Sequence, residues 1–205
     1  MDPIHPASPG LAAPRPLRAL ALAGLLAAAC AHVPPLIPSR DVLTPEEHVR
    51  LGASYEAQGL REEASVQYEA AVRLEPACAD CWVALGNFAF VNGRLASAEA
   101  AFRKAVKAVP HHAGAENNLA TAILARNGSL DEAETLARDA LRQGGPLKPY
   151  ILDTLANVYL RQGRFPEAEA SVEQAETAAA SSDRSVREQL RATHDGIKAA
   201  SASHD

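Results

Sequence analysis

Residues 79–112 read ADCWVALGNFAFVNGRLASAEAAFRKAVKAVPHH, and the spacing of Trp82, Leu85, Gly86, Gly93, Ala98, Phe102, Ala105 and Pro110 within them decides the fold. The same spacing occurs upstream as Leu51, Gly52, Tyr55, Gly59, Ala64, Tyr68, Ala71 and Pro76. It returns downstream as Leu119, Ala120, Ile123, Gly128, Ala133, Ala137 and Ala140, then as Leu155, Ala156, Tyr159, Gly163, Ala168 and Ala175. From Leu51 onward the leucines lie 34, 34 and 36 residues apart. A period of that size is a helical hairpin, which buries its apolar face only against the next copy. Four such units are predicted, over 45–78, 79–112, 113–148 and 149–182, in an all-α stack of antiparallel helix pairs.

Each position has a physical reading. Gly52, Gly86, Ala120 and Ala156 let the first helix of a hairpin approach the second, where Ala64, Ala98, Ala133 and Ala168 are the matching small residues. Gly59, Gly93, Gly128 and Gly163 fall in the turn between the two helices, where a positive φ is easiest for glycine. Pro76 and Pro110 end the second helix. The third unit carries one extra residue in Asn127-Gly128-Ser129-Leu130, and another falls in Gly144-Gly145-Pro146 before the fourth. Both additions are in loops, which tolerate length. Thr44-Pro45-Glu46-Glu47 reads as a capping box at the first helix. In 183–205, Ser185–Ala200 sets Val186, Leu190 and Ile197 on one face, as a helix covering the last hairpin would, and Ser201–Asp205 reads as frayed.

Composition agrees. The chain is 47% hydrophobic but only 4% aromatic, and its abundant alanine suits helices in close contact. A net charge of −5 without a basic run excludes a nucleic-acid footprint.

On these residues, about 45–182 resembles the tetratricopeptide repeat, and 79–112 matches it position by position. The resemblance implies a superhelix whose concave surface, lined by first-helix positions, binds a protein or peptide and no small-molecule substrate. Carried onto this chain, those positions are Asn87, Phe90 and Val91, then Asn117, Asn118, Thr121 and Leu124, then Tyr150, Asp153, Asn157 and Arg161. Amides both donate and accept, so Asn87, Asn118 and Asn157 suit either a peptide backbone or the neighbouring helices. Relatives that grip a terminal carboxylate join two asparagines to several basic residues. Asn87 and Asn118 occupy matching positions, but Val83, Tyr150 and Thr154 stand where the basic residues belong, which argues against that clamp.

Residues 1–29 do not share this pattern. Arg15 and Arg18 precede the apolar run Ala19–Ala29, too short to span a bilayer and suited to a signal peptide. Leu26-Ala27-Ala28-Ala29-Cys30 resembles the lipobox of bacterial lipoproteins, which implies lipidation of Cys30. Leucine sits one residue farther from the cysteine than usual. Ordinary cleavage into a soluble periplasmic protein and a plain membrane anchor are the alternatives. The residues before Arg15 are unusual for a signal, which leaves the start site open. Ala31 after the cysteine implies, by the same resemblance, the periplasmic face of the outer membrane. Residues 30–43, with Pro34, Pro35 and Pro38, read as an extended tether. This layout resembles the pilotin-type lipoproteins of type IV pilus systems, which help a secretin ring assemble and usually carry more repeats. An accessory subunit of an envelope polysaccharide or peptidoglycan enzyme is the alternative role.

Cys78-Ala-Asp-Cys81 is compatible with a structural disulfide, with two unpaired thiols, or with redox or metal chemistry. Trp82 after the second cysteine removes the haem-attachment reading, and no second pair completes a thiolate zinc site. His111 and His112 read as solvated turn residues, and His48 and His194 as isolated surface positions. Glu46-Glu47, Glu62-Glu63 and Asp131-Glu132 sit at helix starts, where carboxylates suit the helix dipole. With no phosphate loop, nucleophile elbow or triad order, the sequence gives no reason to expect an enzyme, a cofactor or a metal.

Overall fold

The computed structural model describes residues 41–179 and 184–203. The run read as a signal peptide, Cys30, most of the stretch read as a tether, the end of the fourth repeat and the last two residues lie outside the described residues. The described residues from Leu43 onward form one compact unit, and Asp41 and Val42 precede it.

The second unit is helical throughout its described elements. Four hairpins follow one another: α1 (Pro45–Ala57) with α2 (Arg61–Leu74), α3 (Ala79–Val91) with α4 (Leu95–Ala108), α5 (Ala113–Ala125) with α6 (Leu130–Gln143), and α7 (Lys148–Arg161) with α8 (Phe165–Ala178). A final helix, α9 (Arg184–Ala202), closes the stack and runs into the segment read from sequence as frayed. Thr44 caps α1 reciprocally: its N–H donates to Glu47 Oε2 at 2.8 Å, and Glu47 N–H donates to Thr44 Oγ1 at 3.2 Å.

The turns show why the sequence repeats as it does. Gly59, Gly93 and Gly163 have φ of 77°, 73° and 73°, and the residue after each donates back to the carbonyl of Tyr55, Ala89 or Tyr159. Each is a Schellman-type stop, which needs a left-handed residue. The third turn differs from the expectation for Gly128. Asn127 holds the left-handed position at φ 57°, and Gly128 is the residue that donates, to Ile123 O at 2.8 Å. Asparagine is among the few side chains that tolerate this conformation. The inserted residue is then Ser129, whose Oγ accepts Glu132 N–H at 3.2 Å, a cap that α2, α4 and α8 lack. The second insertion is absorbed by Gly144 and Gly145, at φ 68° and 85°.

Packing within each hairpin balances small against large. A Cβ on Gly86 would lie 2.4 Å from the ring of buried Phe102, and one on Gly52 would lie 3.0 Å from the ring of Tyr68. Where the first helix carries Ala120 or Ala156 instead, the second helix carries the smaller Ala137 and Val172, all fully buried. One apolar cluster runs through the later hairpins, from Ala89 and Phe102 to Leu190 and Ile197 of α9. The α1–α2 end has only a small cluster of its own, Ala64 and Tyr68 against Phe88, with the Tyr68 and Phe88 rings 5.3 Å apart.

Curvature follows from which helices touch. First helices of successive hairpins contact one another, α1 with α3, α3 with α5 and α5 with α7, and α9 continues the row against α7. Second helices of successive hairpins make no such direct backbone approach among the described residues. The stack therefore curls with the first helices inside, giving a tetratricopeptide-type superhelix. Outside, ion pairs span the wider gaps: Glu99 of α4 binds Arg103 and Arg126, and Arg103 reaches Glu132 of α6 at 2.5 Å.

Candidate functional site

On the inner wall, a cavity of about 530 Å³ lies between α5, α7 and α9. Asn117, Asn118, Thr121, Leu124 and Ala125 line it from α5, and Tyr150, Asp153, Thr154, Asn157 and Arg161 from α7. These positions recur every three to four residues, so each helix turns one face to the cavity. Gln189 of α9 closes one side. Eight of the eleven groove positions read from sequence are thus gathered here. Asn87, Phe90 and Val91 belong to α3, one hairpin earlier, and stand outside it. Phe90 packs against the large apolar cluster, and Val91 is 76% exposed.

The polar chemistry of the cavity is uneven. Thr121 Oγ1 donates to Asn117 O at 3.0 Å, Thr154 Oγ1 to Tyr150 O at 3.1 Å, and Asn157 Nδ2 to Asp153 O at 2.8 Å. Three donors are therefore turned back onto their own helices. Arg161 is likewise engaged, donating to Leu124 O at the end of α5 and to Asn127 Oδ1. It caps the last turn of a neighbouring helix rather than offering a free cation. Two buried acceptors remain. Asp153 is 7% exposed; its Oδ2 accepts Gln189 Nε2 at 2.8 Å, while its Oδ1 has no partner. Asn117, 9% exposed, also has an unpartnered Oδ1.

Asn118 Nδ2 donates to Asn87 Oδ1 at 2.9 Å, so these two amides join α5 to α3. They are not register equivalents. The leucine period places Asn87 level with Thr121 and Asn157, whereas Asn118 lies 31 residues on, a turn short of the repeat, and faces Asn87 across the junction.

The histidines are more structural than their sequence context indicated. His48 is buried at 3% exposure, with Nδ1 2.7 Å from Gln67 Oε1 of α2. His112 caps α5 by accepting Ala115 N–H at 3.1 Å, and its Nε2 lies 3.0 Å from Asp80 Oδ1 of α3. His111 takes φ 63°, with Nδ1 3.6 Å from Glu116 Oε1. Glu116 is 4% exposed, and burial, reinforced by Asp139 and opposed by His111 and Arg142, pushes its carboxyl above the ordinary range. His194 packs between α9 and α8, with Nδ1 3.2 Å from Glu176. One ligand atom each from Glu169, Glu173 and His194 lie within 4.8 Å of one another, the grouping among the described residues with metal-ligand chemistry. Glu173 is exposed.

Cys78 and Cys81 are joined as a disulfide across the first turn of α3. Cys78 Sγ also accepts Cys81 N–H at 3.1 Å, and Cys81 is sealed at 1% exposure against Ala71 and Val72. Gln189 carried no periodic signal that placed it in the cavity, and Thr154 was legible only as a missing basic residue. No described helix is long and apolar enough to cross a membrane.

No curated protein matches the sequence. Among solved structures, a thermophilic TPR protein of Thermus thermophilus superposes with a TM-score of 0.63 at 22% identity, covering 75% of this chain and 83% of that one. PilW, a widely conserved type IV pilus biogenesis factor, gives 0.64 at 18% identity, and PilF of Pseudomonas aeruginosa gives 0.62 at 19%. Each of these two covers 78% of this chain and 76% of its own. At such identities the likeness is one of fold. The tetratricopeptide-repeat model matches residues 49–113, 92–150 and 123–184, more than half of the chain. The repeat spacing, the curled stack and these matches agree: the chain belongs to the tetratricopeptide-repeat family, whose fold serves as a protein-interaction module.

Proposed function

We propose that this protein is a non-enzymatic scaffold that holds a segment of a partner protein in the cavity between α5, α7 and α9. The observation that carries this reading is the cavity itself, with two buried acceptors that the fold leaves without donors. Native proteins leave few such groups, and a concave wall that does so is built to be completed by something else. The lipobox-like run ending at Cys30 supports a lipid anchor at the bacterial envelope, on the periplasmic side of the outer membrane. The likeness in fold to PilF and PilW supports a place in type IV pilus or secretin assembly.

Photocrosslinking in intact cells tests the site. Benzoylphenylalanine at Tyr150, in the groove, is expected to form an adduct with one envelope protein, a secretin subunit if the pilus reading holds. The same probe at Gln174, on the outer helix α8, is expected to form none. Equal adducts from both faces, or none from Tyr150, move the site elsewhere. Palmitate label is expected on the native chain and absent in Cys30→Ser; an unlabelled native chain removes the anchor.

A further inference from the structure

We infer, resting on the groove reading above, that the partner segment enters this cavity through a lysine or arginine whose cation seats against Asp153. Asp153 is more than nine-tenths buried and lies on the α7 wall. One of its oxygens is held by Gln189 and the other has no partner. Asn117, 9% exposed on the facing α5 wall of the same cavity, carries a second unpartnered oxygen. Both orphans are acceptors, so the occupant must bring donors.

The nearby donors are not free to serve them. The hydroxyls of Thr121 and Thr154 and the amide of Asn157 are spent on backbone carbonyls, and Arg161 is fixed to Leu124 and Asn127. An occupant that covers this wall deepens the burial of a carboxylate whose orphan oxygen is already closed to solvent. An apolar side chain then strands a buried carboxylate, and an acidic one adds repulsion to desolvation. A neutral amide satisfies one oxygen without offsetting the charge. A guanidinium or ammonium supplies both charge and several donors, and charge-assisted bonds are the strong ones. Selectivity thus comes from what the other side chains leave unpaired. The chain's net charge of −5 favours approach of a basic segment. A terminal carboxylate, in contrast, meets the wrong sign on this floor.

The test uses the full chain and synthetic hexapeptide libraries with one fixed central residue: arginine, its neutral isostere citrulline, or glutamate. Arginine libraries are expected to bind best. The citrulline swap should weaken binding roughly tenfold or more, as for a buried pair losing one charge. Asp153→Asn should abolish the preference while Asp195→Asn, at an exposed site on α9, leaves it intact. Peptides that bind with no basic preference, or a preference that survives Asp153→Asn, overturn this inference and leave the groove reading standing. Failure of every library to bind overturns the groove reading itself. If Asp153→Asn does not fold, the citrulline comparison on the native chain still decides.

Discussion

Gly86 and Phe102 show how a single atom sets the distance between two helices. A Cβ at Gly86 meets the Phe102 ring at 2.4 Å, inside any real contact, and Phe102 is buried with no room to turn. Overpacking of this kind costs about 1–3 kcal/mol, against about 1 kcal/mol gained from replacing glycine within a helix. Gly86→Ala is therefore expected to lower the urea midpoint, and the loss should shrink or reverse beside Phe102→Leu. Gly52→Ala, at 3.0 Å from Tyr68, should be close to neutral; equal costs at both sites would refute the steric account. Two carboxylates give a pH test with opposite signs. Burial alone raises the Glu99 carboxyl, but hydrogen bonds from Arg126 and Arg103 outweigh it and hold it below its ordinary value. Its contribution is present above the unfolded glutamate value, about 4.3, and is lost as pH falls through the lowered folded one. Glu116 is raised, so its burial costs stability as pH rises from about 4.3 through the folded value. At pH 7 Glu99→Gln should melt below the parent and Glu116→Gln above it, both differences closing in acid. Parallel shifts at all pH values would exclude ionisation as the cause. The repeating positions were legible, but not which of them meet: the spacing set Gly86 against the small Ala98, whereas the side chain that a Cβ there would meet is Phe102. The left-handed Asn127 was not legible, because its position depends on where α5 stops, and a glycine stood next to it as a decoy.

Helix α9 converts an open-ended stack into a closed one. Val186, Leu190 and Ile197 are 7%, 1% and 1% exposed, and they join the same apolar cluster as Val172 and Ala175 of α8. Leu190→Ala is expected to cost about 2–5 kcal/mol by denaturant melt, the range for a buried leucine that leaves a cavity. Arg191→Ala, one residue on and exposed, should stay within about 0.5 kcal/mol. Similar losses at both would mean that the helix is held by something other than this stripe. The stripe was readable, since its period alone identifies the buried face. The position of Gln189 over the groove was not, because periodicity fixes which face is buried and not the angle at which the helix crosses its neighbours. The buried His48 and the half-buried His194 escaped for a related reason: each lies beside a partner helix whose placement a lone histidine does not encode.

Across the whole repeat unit, stability follows the distribution of shared contacts. A repeat array is stabilised chiefly by nearest-neighbour interfaces, so a hairpin with neighbours on both sides opens less readily than one at an end. Here the two ends differ. The last hairpin is sheltered by α9 and belongs to the cluster that runs from Ala89 to Ile197. The first depends on the small cluster of Ala64, Tyr68 and Phe88, and on Ala71 and Val72 packed under the Cys78–Cys81 turn. Local opening should therefore begin at α1 and α2 and proceed toward α7 and α8. In native-state hydrogen exchange, amides of α5 to α8 are expected to exchange only through the highest-energy opening, and those of α1 and α2 through a lower one. Reducing the disulfide should widen the gap by loosening the turn that joins α2 to α3, with little effect on α7. The consequence for function is that the groove between α5, α7 and α9 sits on the most persistent part of the stack, where preorganised walls lower the entropic cost of holding a flexible segment. Uniform protection across all hairpins, or greatest protection at α1, would mean that the apolar clusters do not set the order of opening and would remove that argument for a rigid groove.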